Sequence, residues 1–142
     1  MRALIPAAVA LIASMGGAGL AQQPPQTACQ EGTASFYGHT GRSRTASGEP
    51  VSPEGRTAAS RDLPLGTQAT VTNQQTGQST EVRVNDRGPT RTDRTIDLSQ
   101  QAARDIGMER SGTAPVRIEA DPARQSDPAV REQLERRAGR PC

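Results

Sequence analysis

An acidic side chain stands where a strand ends abruptly. Val82 and Val84 alternate with polar neighbours, and this period of two predicts a half-buried strand. Asp86 follows them, and Gly88-Pro89 then forces the chain to turn. A carboxylate at a strand end is held at its base and open at its tip, which suits catalysis or ligand binding. The alternative is a turn aspartate that only hydrogen-bonds its own backbone.

Besides Asp86, few side chains in the sequence are candidates for catalysis or metal binding. His39 is the single histidine and lies in a polar stretch, where we expect a surface residue or a substrate contact. One histidine and two distant cysteines make no metal site, and no nucleophile-elbow motif indicates a serine hydrolase. Asp97 precedes a helix cap at Ser99, and we expect it to brace that turn rather than to take part in chemistry.

Short strands separated by polar turns must position these groups. The pattern predicts strands at 33–37, 68–72, 79–85, 95–98 and 115–119. Residues 39–61 show no regular pattern, which is typical of a functional loop or of disorder. A helix is predicted over 100–106, capped by Ser99 and ended by Gly107.

Residues 121–142 form a charged C-terminal segment of a different kind. Asp127 can cap a helix that has Pro128 in its first turn. An apolar stripe with helical spacing runs through Val130, Leu134 and Ala138. One interpretation is that this helix packs on the domain and brings Cys142 to Cys29. The other is a solvated tail.

The amino terminus predicts an exported protein. A basic start is followed by an uncharged, mostly apolar run that ends in small residues at Ala21. We therefore assign residues 1–21 to a cleaved signal peptide and residues 22–31 to a polar linker. Gln26 stands where a lipidation signal before Cys29 would need an aliphatic residue. We thus expect neither a lipid anchor nor a stable membrane span.

The composition restricts what a single domain of this size can do. A formal net charge of +2 argues against a nucleic-acid binder that neutralises phosphates. Hydrophobic residues make up 32% of the chain, and Phe36 and Tyr37 are its only aromatic residues, so the core must be small and aliphatic. A covalent staple would stabilise such a domain. Cys29 and Cys142 are the candidates for it, and two free or intermolecular thiols are the alternative.

Seven short motifs occur in a defined order along the chain. They are GTASFYG at 32–38, TASGE at 45–49, TAA at 57–59, LPLGT at 63–67, VTN at 71–73, VRVNDRGP at 82–89 and IDLS at 96–99. Together they closely resemble the rare lipoprotein A family of exported lytic transglycosylases. The resemblance implies a mainly β fold, a six-stranded double-psi β-barrel with one or two short helices, over residues 32–120.

The resemblance also implies a substrate and a reaction. Members of that family cleave peptidoglycan glycan strands between N-acetylmuramic acid and N-acetylglucosamine. The implied chemistry needs no metal and no cofactor. One acid protonates the bridging oxygen and then, as a base, takes a proton from the sugar's own 6-hydroxyl. That hydroxyl attacks the anomeric carbon, so the product carries a 1,6-anhydro end.

Matching motif positions carries the family's functional residues onto Glu49, Ser60 and Asp86. We expect Asp86 to act as acid and base with Glu49 as its partner, because two carboxylates facing one cleft repel and raise one pKa. A solvated loop acid is the alternative for Glu49. Ser60 replaces the family's usual histidine, and we expect its hydroxyl to bind substrate. Further candidates for substrate contact are Tyr37, Arg87 and His39.

Two classes of function therefore stay open. One is a periplasmic or secreted lytic transglycosylase, which we expect to be a monomer. The other is a glycan-binding or wall-loosening module, similar to expansins, that has lost turnover. Glu49 and Asp86 favour the enzyme, whereas Ser60 favours the module, because serine cannot titrate near neutral pH and only His39 is left to replace the imidazole. Interaction with proteins of the division site is a third possibility.

Overall fold

The computed structural model describes residues 3, 27–38, 44–140 and 142. The strands in these parts of the chain are β1 (Ala28–Phe36), β2 (Thr57–Ser60), β3 (Gln68–Asn73), β4 (Ser79–Asp86), β5 (Ile96–Leu98) and β6 (Thr113–Ala120). The helices are α1 (Gln100–Asp105), a short 3-10 helix (Pro122–Arg124) and α2 (Pro128–Glu135).

The six strands close into one barrel, in the neighbour order β1-β5-β2-β4-β3-β6. The pairs β1·β5 and β2·β4 are parallel, and the four other pairs are antiparallel. Closure leaves no edge strand unpaired, which removes the exposed backbone groups that favour aggregation. The mainly β, six-stranded barrel implied by the sequence is therefore confirmed.

The core of the barrel is aliphatic, as the composition requires. Its largest fully buried side chains include Ile96, Leu98, Ile106, Met108, Ile118 and Leu134. Phe36 is only partly buried against them. Strands β3, β4 and β6 show the expected alternation of buried and exposed residues along most of their length. Each of these strands thus turns one face to the core and the other to solvent.

Two expectations about the strands are wrong. Strand β2 lies inside the stretch 39–61, where the sequence predicts only a loop. All four of its residues, TAAS, are buried, so no alternation marks it as a strand. Strand β1 begins at Ala28, where it pairs with Ala120, so residues 28–31 belong to the barrel and not to a linker.

The C-terminal segment packs on the barrel rather than extending into solvent. The Asp127 side chain caps α2 by accepting a hydrogen bond from the Ala129 N–H. Val130 and Leu134 are buried at 2% and 0% exposure. Before the helix, the buried amide of Gln125 exchanges two hydrogen bonds with the Gln68 backbone. The docked-helix interpretation is thus confirmed.

The predicted disulfide between Cys29 and Cys142 is present, with the two Cα atoms 4.9 Å apart. It joins the first strand to the end of the C-terminal segment, with a sequence separation of 113 residues. His39 and nearly all of the predicted signal peptide lie outside the described residues. Among the residues described, no helix has the length and apolar character needed to cross a membrane.

We predict that the double substitution Cys29→Ser/Cys142→Ser lowers the free energy of unfolding. A loop of this length corresponds to about 4–5 kcal/mol in the chain-entropy account, reduced by any structure left in the unfolded chain. Urea unfolding of the purified barrel measures the change. Reductant should lower the midpoint for the native protein and leave the double variant unchanged; equal midpoints for the two oxidised proteins would contradict the prediction.

Candidate active site

A β-bulge in β4 decides which way Asp86 faces. Ala58 pairs with Val84, but the next residue, Ala59, pairs with Asp86, which leaves Asn85 as the extra residue. Val84 is fully buried in the core. Regular alternation would send Asp86 inward as well, because it lies two residues further along. The extra residue turns it to the opposite face.

Side chains from four neighbouring strands lie in one row that includes Asp86. Asp97 of β5 pairs with Ser35 of β1 and with Ala59 of β2, and Ala59 in turn pairs with Asp86 of β4. Paired residues point to the same face of a sheet. Two strand spacings separate the carboxylates, so their Cα atoms lie roughly 10 Å apart. The short side chain of Ala59 leaves the space between them open.

The row forms the floor of a cleft of about 430 Å³, a volume that suits a small ligand or one part of a polymer. Phe36 and Tyr37 contribute aromatic surface. The cleft's arginines are Arg44, Arg87, Arg91 and Arg94. Aromatic rings pack against the apolar faces of sugars, and carboxylates and guanidinium groups hydrogen-bond to hydroxyls. This combination therefore suits a carbohydrate.

One oxygen of Asp86 is held by the backbone. Its Oδ1 accepts hydrogen bonds from the N–H groups of Ala46, at 2.9 Å, and of Arg87, at 2.8 Å. Its Oδ2 has no hydrogen-bond partner among the residues that the structure describes. One oxygen thus fixes the orientation of the carboxylate and leaves the other available to a ligand.

Asp97 is the second carboxylate of the cleft, and it is half-buried. Burial raises its pKa above the ordinary value, and the negative charge of Asp86 adds to this rise. A hydrogen bond from the Ser35 hydroxyl, at 3.0 Å, and the charge of Arg94 lower the pKa by less. Asp97 therefore keeps its proton to a higher pH than an exposed aspartate does.

Sequence reasoning missed the place of Asp97 in the cleft. Its side chain hydrogen-bonds to Ser35, and no bond to Ser99 occurs among the described contacts. The signal was present in the sequence, since Ile96 and Leu98 are apolar and the residue between them must face away from the core.

Glu49 does not line the cleft. The Arg83 guanidinium donates to both of its carboxylate oxygens, at 2.5 and 2.6 Å. The hydrogen bond from Arg83 lowers the pKa of Glu49. The expected arrangement, in which Glu49 and Asp86 face one cleft and repel each other, is therefore not found for Glu49, because the neighbour that dominates its surroundings is the cation Arg83.

The ion pair between Glu49 and Arg83 fastens the loop of residues 44–50 to β4. The Thr45 N–H donates to the Glu49 carbonyl within this loop, and the Ser47 N–H donates to the carbonyl of the bulge residue, Asn85. The same loop supplies the Ala46 N–H that holds Asp86. Glu49 thus acts on Asp86 through the backbone of the loop.

Ser60 faces the core and not the cleft. It pairs with Ile96, a core residue, and is only 1% exposed. Its Oγ accepts hydrogen bonds from the N–H groups of Asp62 and Leu63, at 3.2 and 3.0 Å. Arg87 lines the cleft, but its guanidinium donates to the carbonyls of Ser60 and Leu63. Both residues stabilise the turn at 60–63.

Tyr37 contributes a wall of the cleft. Its hydroxyl lies 2.6 Å from the Thr57 Oγ1, within hydrogen-bond distance. Burial raises the pKa of the phenol, so Tyr37 is neutral at ordinary pH and offers ring surface together with one hydroxyl. Arg61 holds the loop of 89–94, because its guanidinium donates to the carbonyls of Pro89, Arg91 and Arg94.

The fold is a double-psi β-barrel, and its cleft carries two acidic residues, Asp86 and Asp97. Residues 29–118 match the family described as lytic transglycolase, so the chain belongs to that family.

Two solved structures share the fold. One is the Streptomyces papain inhibitor, with a TM-score of 0.55, 21% identity and coverage of 69% of this chain and 98% of its own. The other is an expansin of Clavibacter michiganensis, at 0.50 and 22%, with coverage of 65% and 50%.

Relatives with higher identity agree with the resemblance to the rare lipoprotein A family. The probable endolytic peptidoglycan transglycosylase RlpA of Nostoc sp. is 56% identical over 93 residues, which are 63% of this chain and 25% of that protein. The endolytic peptidoglycan transglycosylase RlpA of Pseudomonas aeruginosa is 49% identical over 89 residues, 62% and 26% respectively. The chain thus spans about a quarter of the length of these relatives.

We predict that Asp97→Asn stabilises the protein increasingly as the pH rises. The pKa of Asp97 is raised in the folded state, so the stability that its protonated form contributes below the unfolded pKa is lost as the pH rises through the folded pKa. An asparagine keeps the hydrogen bond from Ser35 without the charge. Thermal unfolding of both proteins at pH 3 and pH 7 measures the difference.

Asp93→Asn is the matched control for this pH dependence. The Arg91 guanidinium lowers the pKa of Asp93, so its contribution is present above the unfolded pKa and is lost as the pH falls. The control should therefore become less stable relative to the native protein between pH 3 and pH 7. A flat or falling difference for Asp97→Asn would refute the raised pKa.

We also predict that Arg83→Gln loosens the loop of 44–50 without unfolding the barrel. The ion pair is partly exposed, so its loss costs about 1 kcal/mol or less in global stability. Amide exchange of Ala46 and Ser47 should accelerate, whereas Arg56→Gln, which removes the ion pair with Asp105, should leave those amides unchanged. Unaltered exchange in Arg83→Gln would show that the ion pair does not hold the loop.

Proposed function

We propose that this barrel cleaves peptidoglycan glycan strands, between N-acetylmuramic acid and N-acetylglucosamine, as a lytic transglycosylase. The observation that carries the proposal is the row in which Asp86 and Asp97 flank Ala59 on the floor of the cleft. Family membership and the activity for which the relatives are named support it. Export to the periplasm or the medium is part of the proposal.

Asp97 is the proton donor and acceptor in this proposal. Its raised pKa favours the protonated form that a general acid needs at the start of the reaction. Asp97 gives its proton to the bridging oxygen as the bond to the anomeric carbon breaks. It then takes the proton of the 6-hydroxyl of the same sugar while that oxygen bonds to the anomeric carbon. The donated proton stays on the hydroxyl of the leaving sugar, the 6-hydroxyl proton restores the protonated form of Asp97, and a 1,6-anhydro end forms without water.

Asp86 has the complementary role. Its backbone-held carboxylate stabilises the positive charge that develops on the sugar ring as the glycosidic bond breaks. The role of acid and base, which the sequence analysis predicts for Asp86, is thus given to Asp97. Glu49 is a positioning residue that acts through the loop of 44–50, and Ser60 supports the turn beside the cleft.

Digestion of peptide-free glycan strands tests the proposal, with products identified by mass. Asp86→Asn and Asp97→Asn should each lower the rate by about 100-fold or more. Glu109→Gln removes an exposed, ion-paired carboxylate outside the cleft and should keep the native rate. Because Asp97→Asn is expected to be at least as stable as the native protein at neutral pH, loss of its activity cannot be ascribed to unfolding.

The products and the pH profile discriminate between the alternatives. Products with 1,6-anhydro ends support the transglycosylase, whereas hydrated reducing ends indicate a hydrolase. Binding of strands without any product indicates the non-catalytic glycan-binding module. The negative charge of Asp86 helps to raise the pKa of Asp97. In Asp86→Asn this charge is gone, so the residual activity should fall at a lower pH than the activity of the native protein does.

A further inference from the structure

A second cavity, of about 510 Å³, adjoins the turn at 60–63. Asp62 and Leu63 form part of its wall. Arg87 of the cleft donates to carbonyls of this same turn, and Arg137 of the second cavity donates to the Asp62 carbonyl. One turn, held by an arginine from each side, therefore connects the two concave sites.

The second cavity depends on the C-terminal segment. The family match ends at residue 118, and the arginines of the cavity, Arg136, Arg137 and Arg140, all follow that point. The buried stripe of α2 and the disulfide between Cys29 and Cys142 hold this part of the chain against the barrel. The arginines of the cavity thus lie outside the part of the chain that matches the family.

The charge of the cavity is positive. Its only acid among the described lining residues is Asp62, whose carboxylate already accepts a hydrogen bond from the Gln30 amide at 2.9 Å. Arg136 pairs with Glu132 on the exposed side of the helix. Arg140 is exposed and has no ion pair among the described contacts. Ala28 and Ile118 also line the cavity, but both are buried, so the arginine side chains supply most of its accessible surface.

We propose that this cavity is a second binding site for the glycan strand, and that its arginines bind carboxylate groups carried by that strand. The inference rests on the proposed function. A polymer that reacts in the cleft must continue past it, and the cavity lies one turn away. Guanidinium groups bind carboxylates through paired hydrogen bonds, and this is the chemistry that the cavity offers to the strand.

Binding of fluorescently labelled glycan strands tests the site, in an Asp86→Asn background that keeps the strands intact. Arg136→Gln/Arg140→Gln should weaken binding about tenfold, which corresponds to the loss of one charge-assisted contact. The matched control is Arg104→Gln/Arg110→Gln. Like the cavity variant, this control removes two positive charges and breaks one exposed ion pair. The pair is that of Arg104 with Glu109, and it lies outside both cavities. The control should bind as the parent does.

The probes identify the carboxylate. Strands stripped of peptides carry only the carboxylate of the sugar, whereas peptide-bearing strands carry peptide carboxylates. Amidation of the carboxylate that is bound should abolish the difference in binding between the cavity variant and its parent. Equal binding by the cavity variant and its parent overturns the inference, as does an equal loss in the control. If the native protein cleaves nothing but the cavity variant still binds about tenfold more weakly, the proposed function fails and the site stands.

Discussion

The pairing of β2 with β4 and β5 is the constraint on which the candidate site depends. It sets Ala59 between Asp86 and Asp97, and the bulge at Asn85 gives Asp86 the outward direction. Asn85 is 2% exposed, and its amide oxygen has no hydrogen-bond partner among the described residues.

Three arginines provide the second level of organisation around the cleft, in a chain that contains no lysine. Arg61 binds three backbone carbonyls of the loop of 89–94, Arg87 binds two of the turn at 60–63, and Arg83 grips both oxygens of Glu49. The planar fork of several donors makes such multiple contacts possible, whereas the ammonium of lysine is a single point charge. The loops around the cleft are therefore held by side chains.

A small aliphatic core leaves much of the stability to the periphery. Helix α2 covers part of the barrel with Val130 and Leu134, and the disulfide closes the chain from the first strand to Cys142. The same arrangement builds the second cavity. The elements that stabilise this small domain thus also form a concave surface beside the barrel.

The sequence by itself determined the features that depend on neighbours along the chain. Alternation predicted most strands, Asp127 and Pro128 marked the start of α2, and the order of motifs indicated the barrel. Only the tertiary structure decided the strand β2, the outward turn of Asp86, the burial of Asp97 and the pairing of Glu49 with Arg83. The direction of a side chain follows from strand register, and a pKa from burial and nearby charge. Both depend on residues far apart in the sequence that folding brings together.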